Sequence, residues 1–150
     1  LKEVIHSQAE EGQTAESTFG ATMIVGGQIR GMEPRLFLIY PEGNFIEASD
    51  ETPFFQAGET KYGRPIILRA FDPAMSFEDA IKLLYVSFDS TLKANLAVGM
   101  PLDMHAYRSG SFETGIQRRI PSDDPYFRTI SSGWGEALKA AIDKLPNFSF

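Results

Sequence analysis

Two short apolar runs on either side of a four-residue turn constrain the fold of this chain more than any other feature. Residues 36–40 and 45–48 flank the sequence Pro-Glu-Gly-Asn at positions 41–44. Proline presets the backbone for a turn, and glycine and asparagine tolerate positive φ angles. The pattern therefore predicts an antiparallel hairpin at residues 36–48.

An apolar, β-branched run precedes this hairpin. Residues 19–29 carry Met-Ile-Val at positions 23–25 and reach Gly26 and Gly27. A run of this kind is typical of a strand buried on both faces, and the glycines mark a bend or a close backbone approach. We therefore expect a central strand that ends at the glycines, preceded by a helix tail at residues 1–9 and a polar loop at residues 10–17.

Two helices are expected next in the chain. Pro65 suits the first turn of a short helix within residues 58–71, because the amide proton that proline lacks needs no partner there. Ser76 followed three residues later by Asp79 is an acidic variant of the capping box. It predicts the start of a second helix, whose apolar residues keep helical spacing up to Leu96.

A stripe of small side chains runs beside the apolar stripe of the second helix. Ser87, Ser90 and Ala94 lie at helical spacing. Small side chains let a neighbouring helix approach closely, so packing is the favoured interpretation and ligand binding is the alternative.

The rest of the chain predicts a second hairpin and a last helix. Residues 102–107 alternate apolar and polar side chains, which is typical of a strand with one buried face, and a second strand is expected at residues 112–120. The sequence Ser-Asp-Asp-Pro at positions 122–125 is a well-capped helix start, and apolar residues keep helical spacing up to Pro146.

Charge and composition exclude several function classes. The net charge is -6 and no basic stripe is present, which argues against nucleic acid and anionic membrane surfaces as partners. No apolar run approaches the roughly 18 residues that span a bilayer. The absence of cysteine excludes disulfides and thiol catalysis and is consistent with a reducing cytoplasm.

We expect no metal site and no cofactor. The two histidines, His6 and His105, lie in separate predicted elements, and neither has another histidine or a cysteine at ligand spacing. The glycines at positions 26 and 27 are not followed by the lysine and hydroxyl residue of a phosphate-binding loop.

Three polar side chains of one predicted strand could form a site. Asp103, His105 and Tyr107 share a strand face, where a carboxylate could orient an imidazole beside a phenol. An outward strand face is ordinarily polar, however, so a surface or an interface is the favoured interpretation.

Two further polar segments have a structural and a chemical interpretation. Glu59, Thr60 and Lys61 could supply an acid, a hydroxyl and an amine, but the same mix favours a helix entry, and capping is the preferred interpretation. Arg118 and Arg119 are too few for a nucleic-acid patch, so they are expected to pair with the acidic residues 123 and 124 or to lie in water.

A set of ordered motifs points to a family. Its members are Leu-Phe-Leu-Ile-Tyr-Pro-Glu-Gly-Asn at 36–44, Gly-Glu-Thr-Lys-Tyr-Gly at 58–63, Asp-Ser-Thr at 89–91, Asn-Leu-Ala-Val-Gly at 95–99 and Trp-Gly-Glu-Ala-Leu at 134–138. With these motifs the chain resembles, over residues 19–146, the later portion of the bacterial proteasome-type peptidases of the Anbu, or ancestral beta subunit, group.

The resemblance implies a fold and an assembly. The expected class is α+β with antiparallel sheets, as part of the four-layer αββα sandwich of N-terminal-nucleophile hydrolases. The expected subunits form homo-oligomers, as rings or open helical stacks. Residues 1–150 would then be a single domain, the C-terminal portion of a longer subunit, and a start at Leu1 is consistent with an upstream extension, a cut or a designed fragment.

The resemblance also implies threonine chemistry. In this family an N-terminal threonine attacks the peptide carbonyl, its free α-amine acts as base, and an acyl-enzyme is then hydrolysed. Leu1 cannot act in this way. Thr18 does not fit either, since Pro34 and Asp50 stand where the assisting Asp and Lys would be needed. The nucleophile is therefore expected outside this chain.

Supporting positions around that nucleophile are expected at Glu59, Thr60 and Asn95. Proteasome subunits commonly carry a serine in the first of these regions and Asp-x-x-Ser in the second, where this chain has Glu59 and the run Ala-Asn-Leu-Ala at 94–97. The implied function is a cytoplasmic peptidase subunit that acts on peptides or unfolded proteins. A non-catalytic assembly subunit and a ligand-binding α+β domain are the alternatives.

Overall fold

A computed structural model of the chain describes residues 20–150, in which five strands and three helices form. The predicted helix tail, the polar loop and Thr18 lie outside the described residues. The backbone divides into two compact units, the first ending at Gly58 and the second beginning at Glu59.

The first unit contains a three-stranded antiparallel sheet. Its strands are β1 (Met23–Gly27), β2 (Arg35–Ile39) and β3 (Phe45–Glu47), in the order β1-β2-β3. The predicted hairpin between β2 and β3 is confirmed. Tyr40 N donates to Asn44 O at 2.9 Å, and Gly43 takes a φ of 91°, a conformation that glycine adopts without steric cost.

The prediction that β1 is central is wrong for the described sheet. β2 pairs on both sides and holds the buried Leu38, whereas β1 is an edge strand whose residues are all exposed. The apolar run identified side chains suited to burial but could not show that β1 pairs on one side only, with the next strand β2. The predicted end of the strand at the two glycines is confirmed.

Three helices belong to the second unit. They are α1 (Arg64–Ala70), α2 (Phe77–Ala94) and α3 (Pro125–Asp143). α1 carries Pro65 in its first turn, as predicted. At the start of α2, Ser76 Oγ accepts from Asp79 N at 3.1 Å, so the predicted N-cap is confirmed. The Asp79 carboxylate accepts from the Ser76 hydroxyl at 2.8 Å, where a capping box would use the backbone N–H of Ser76.

The second hairpin pairs β4 (Leu102–Ala106) with β5 (Ile116–Ile120) in antiparallel register. β5 begins later than the predicted residue 112. Phe112 and Gly115 have φ angles of 52° and 77°, which are incompatible with an extended strand. A side chain at Gly115 would also collide with the carbonyl oxygen of Ala106, so the loop can close there only with glycine.

A small core joins α2, β5 and α3. It is centred on Tyr85, Ile120 and Phe127, and Ile120 is 1% exposed. The rings of Tyr85 and Phe127 meet edge to face with centroids 5.8 Å apart, a favourable aromatic geometry. Burial raises the pKa of the Tyr85 phenol, as expected for a group removed from water.

Asp124 caps α3 and ties it to the hairpin. Its Oδ1 accepts from Phe127 N at 2.8 Å, and its Oδ2 accepts from Arg118 Nη2 at 2.7 Å. The predicted cap and the predicted pairing of Arg118 are therefore confirmed. Arg119 instead pairs with Asp103 across the strands at 3.0 Å. The backbone hydrogen bond from Phe127, followed by Arg118, lowers the pKa of Asp124.

We predict that Asp124→Ala lowers the free energy of unfolding at neutral pH. In the variant this free energy should also fall less as the pH is lowered. The folded-state pKa lies below the ordinary value of 3.8. The stabilisation is therefore present above that value and is lost as the pH falls through the folded-state pKa. Urea unfolding between pH 7 and pH 2 measures the effect.

The matched control is Asp123→Ala, which removes the neighbouring exposed carboxylate. Equal losses of stability in the two variants at pH 7 would contradict the assigned cap.

Candidate functional site

The end of α2 and the segment before α1 are joined by a hydrogen bond. Asn95 is the C-cap of α2, and its backbone N donates to Thr91 O at 2.9 Å. Its side-chain Nδ2 donates to Glu59 Oε2 at 2.9 Å, across 36 residues of sequence. Two of the three supporting positions expected from the sequence are thus in direct contact.

Both side chains also shape their own loops. Glu59 Oε1 accepts from Lys61 N at 2.7 Å, so each carboxylate oxygen has a backbone or side-chain donor. Asn95 Oδ1 accepts from Ala97 N at 2.8 Å, and Val98 N donates to Asn95 O at 3.2 Å. We call Glu59, Asn95 and the loop backbones at 59–61 and 95–98 the Glu59–Asn95 cluster.

The predicted helix-capping role of residues 59–61 is wrong. The N-cap of α1 is Gly63, which makes no side-chain cap hydrogen bond. Glu59 uses its carboxylate to close its own loop and to hold Asn95. Thr60, the third expected position, is half-buried and contributes its carbonyl oxygen, which accepts from Arg64 N at 3.2 Å.

The start of α1 approaches α2 closely next to the Glu59–Asn95 cluster. Gly63 is buried, and a Cβ atom there would collide with Ser87 Oγ and lie 3.1 Å from Thr91 Oγ1. Ser87 and Thr91 are 4% and 5% exposed, and Thr91 Oγ1 donates to Ser87 O at 3.0 Å. The packing interpretation of the small-residue stripe is therefore confirmed at Ser87, and Thr91 is a member that the sequence analysis missed.

A buried charge lies one turn before the end of α2. The Asp89 side chain is 4% exposed and accepts from Lys93 Nζ at 2.8 Å. Lys93 Nζ also donates to Ser131 Oγ of α3 at 2.9 Å. Lys93 is thus a donor to both groups, which makes it a bridge between the helices. The spacing of Asp89 and Lys93, four residues apart on a helix, is the signal by which sequence reasoning could have found the pair.

Asp103, His105 and Tyr107 do not form a triad. Asp103 pairs with Arg119, the ring Nε2 of His105 with the carbonyl oxygen of Thr114, and the Tyr107 hydroxyl accepts from Phe112 N at 3.4 Å. Each group stabilises a different part of the hairpin and its loop. The surface interpretation of this strand face is the one that the geometry supports.

The described part of the chain contains neither a cluster of metal ligands nor a membrane-spanning helix. Across residues 20–150, no three side chains of the His, Asp or Glu type come together as ligands for a metal ion. Within the same range, no helix has the length and apolar character needed to cross a membrane.

Comparison with known proteins gives a match among solved structures. No protein-family model and no curated protein matches the sequence. Anbu (ancestral beta-subunit) from Yersinia bercovieri is 44% identical with a TM-score of 0.89, covering 99% of this chain and 61% of that chain. A helical assembly of the Anbu complex from Pseudomonas aeruginosa is 40% identical with the same TM-score and the same two coverages.

A third relative is covered more completely. A selenomethionine-labelled Gly-1 mutant of Anbu from Hyphomicrobium sp. strain MC1 is 36% identical with a TM-score of 0.73, covering 99% of this chain and 75% of that chain. This chain spans only 61% of the Yersinia and Pseudomonas proteins. The structural likeness confirms the expected fold class, an α+β chain with antiparallel sheets that is part of the αββα sandwich.

We predict that Gly63→Ala lowers the free energy of unfolding by about 1–3 kcal/mol, the usual cost of overpacking a tight contact. The added methyl group would have to displace Ser87 and Thr91, whose exposed fractions leave little room for movement. Chemical denaturation measures the change. Gly99→Ala is the control, because no atom lies within 4 Å of a Cβ there. A Gly63→Ala variant as stable as the control would contradict the close approach.

Proposed function

The chain belongs to the Anbu family of bacterial proteasome-like proteins, and we propose that it is the C-terminal part of a subunit that hydrolyses peptide bonds. The observation that carries the proposal is the hydrogen bond between Glu59 and Asn95. It joins the two segments that the family resemblance assigns to the surroundings of the nucleophile.

The proposed nucleophile is an N-terminal threonine that lies outside the residues of this chain. Its hydroxyl oxygen attacks the peptide carbonyl while its own α-amine takes the hydroxyl proton. The C–N bond then breaks, the amine product leaves with a proton, and an ester remains on the threonine. Water hydrolyses the ester, which releases the carboxylic acid and restores the hydroxyl.

In this proposal, residues of this chain hold the groups around the nucleophile in place. Both oxygens of Glu59 and both polar atoms of the Asn95 amide are engaged with protein groups. Such a network holds two loops in one geometry. A fixed geometry around a reacting group can remove a large part of the activation free energy of the reaction. Glu59 and Asn95 are accordingly assigned as positioning residues, and Thr60 adjoins Glu59 in the same loop.

The proposal includes assembly, substrate and location. The Pseudomonas relative forms a helical assembly, and we extend homo-oligomer formation, as a ring or a helical stack, to this subunit. The substrate would be a peptide or an unfolded protein. The cytoplasm is the proposed compartment, in keeping with the absence of cysteine from the sequence.

The direct test uses the complete gene product purified from its own cells. We expect hydrolysis of fluorogenic peptides, and a covalent adduct on an N-terminal threonine after treatment with an electrophilic peptide, detected by mass spectrometry. A complete protein that gives neither hydrolysis nor adduct would overturn the peptidase and leave the non-catalytic assembly subunit as the function.

In the complete protein, we predict that Glu59→Gln lowers kcat for a peptide substrate by up to about 100-fold, the effect of a small misplacement of positioning groups. Whichever way the new amide is turned, its NH2 group faces a donor, either Lys61 N or Asn95 Nδ2. Steady-state kinetics and the thermal midpoint are measured together.

Glu113→Gln is the matched control, since it makes the same chemical change at an exposed loop residue. A Glu59→Gln variant with the kcat of the control would remove Glu59 from the proposed site.

A further inference from the structure

Lys93 connects two helices through a single ammonium group. On α2 it donates to the buried carboxylate of Asp89 at 2.8 Å, and on α3 it reaches Ser131 Oγ at 2.9 Å. The side chain of Lys93 is itself 59% exposed, so its position is set by these two acceptors and not by burial.

The pair within α2 is in a favourable arrangement. Asp89 precedes Lys93 by four residues, and an acidic residue before a basic one at this spacing stabilises a helix. Lys93 also lies in the last turn of α2, where a positive charge interacts favourably with the helix dipole. Because Asp89 is buried, its carboxylate needs the Lys93 ammonium as a partner, and this pairing holds the ammonium in place. The ammonium can then also donate to Ser131 Oγ.

The α3 side of the bridge is equally fixed. Ser131 lies one helical turn after Phe127, whose ring packs against Tyr85 in the core of the second unit. The start of α3 is capped by Asp124. Ser131 therefore lies on a turn of α3 that the core already holds against α2.

The last turn of α2 carries this constraint to Asn95. The backbone N of Asn95 donates to Thr91 O, so Asn95 ends the helix directly after the turn that contains Lys93. A shift of that turn relative to α3 moves the Asn95 amide relative to Glu59.

We propose that Lys93 is a positioning residue for the Glu59–Asn95 cluster and that it acts through Ser131. The proposal rests on the proposed function only where it concerns catalysis. Its structural part, that the bridge to α3 fixes the hydrogen bonds of the cluster, holds for an inactive subunit as well.

The decisive variant is Ser131→Ala in the complete protein, because it removes the link to α3 and leaves the ion pair of Asp89 and Lys93 intact. Ser132→Ala is the matched control, the same change at the next, exposed residue. Hydrogen exchange read by mass spectrometry reports on the amides of Lys61 and Ala97, which donate to Glu59 and Asn95. Exchange in peptides covering these amides should be about fivefold faster in Ser131→Ala, the factor expected for one net hydrogen bond.

Lys93 itself is tested by a pair of substitutions. Lys93→Arg keeps a donor for both acceptors and should restore slow exchange, whereas Lys93→Met should give fast exchange. In an active complete protein, Ser131→Ala and Lys93→Met should lower kcat while KM stays unchanged, and Lys93→Arg should recover kcat. The thermal midpoint is measured for each variant, so that a loss of kcat at an unchanged midpoint separates positioning from a general loss of stability.

The outcomes separate the two proposals. Exchange rates in Ser131→Ala equal to those in Ser132→Ala would overturn the positioning role, whatever the activity. Faster exchange in a protein whose wild type hydrolyses no peptide would support the positioning role and overturn the peptidase. Should Lys93→Met fail to fold, the comparison of the two serine variants still decides the question.

Discussion

The structure of the second unit depends on α2 being packed on several sides at once. Tyr85 faces the core with Ile120 and Phe127, whereas Ser87 and Thr91 face the backbone of Gly63. Near its end, α2 is bonded through Lys93 to α3 and through Asn95 to Glu59. A helix held on different faces by apolar, steric and polar contacts has little freedom to slide, and this rigidity is what a supporting element of a reactive site requires.

Local features of the fold could be predicted from the sequence, and long-range ones could not. The turn at 41–44, the capping residues Ser76 and Asp124 and the first-turn Pro65 act within a few residues, so the sequence pattern contains their whole physical cause. The edge position of β1 depends on which strands are present to pair with it. The late start of β5 depends on the positive φ angles of the preceding loop, which the apolar pattern does not report.

The candidate site shows the same division. Family resemblance, not a local pattern, indicates Glu59, Thr60 and Asn95. The contact between Glu59 and Asn95 spans 36 residues, so no local sequence pattern could predict it. Asp103 and His105 lie on β4 as expected, whereas Tyr107 follows the last residue of that strand, and lying on one strand does not bring side chains into contact. Each found a nearer partner on the opposite strand or in the loop. Proximity along a strand is thus weaker evidence for a site than a bond between separate segments.

The charge of Glu59 has a physical consequence for the proposed chemistry. Both oxygens of its carboxylate already accept hydrogen bonds from protein groups, one from Lys61 N and one from Asn95 Nδ2. In the proposed mechanism the proton is carried by the amine of the nucleophile. Proteasome subunits commonly carry a serine in this region, and a serine hydroxyl can both donate and accept. The glutamate can only accept while it is ionised, so it demands two donors, and Asn95 with the Lys61 backbone meets that demand. Glu59 and Asn95 thus satisfy each other's hydrogen-bonding groups across the two loops.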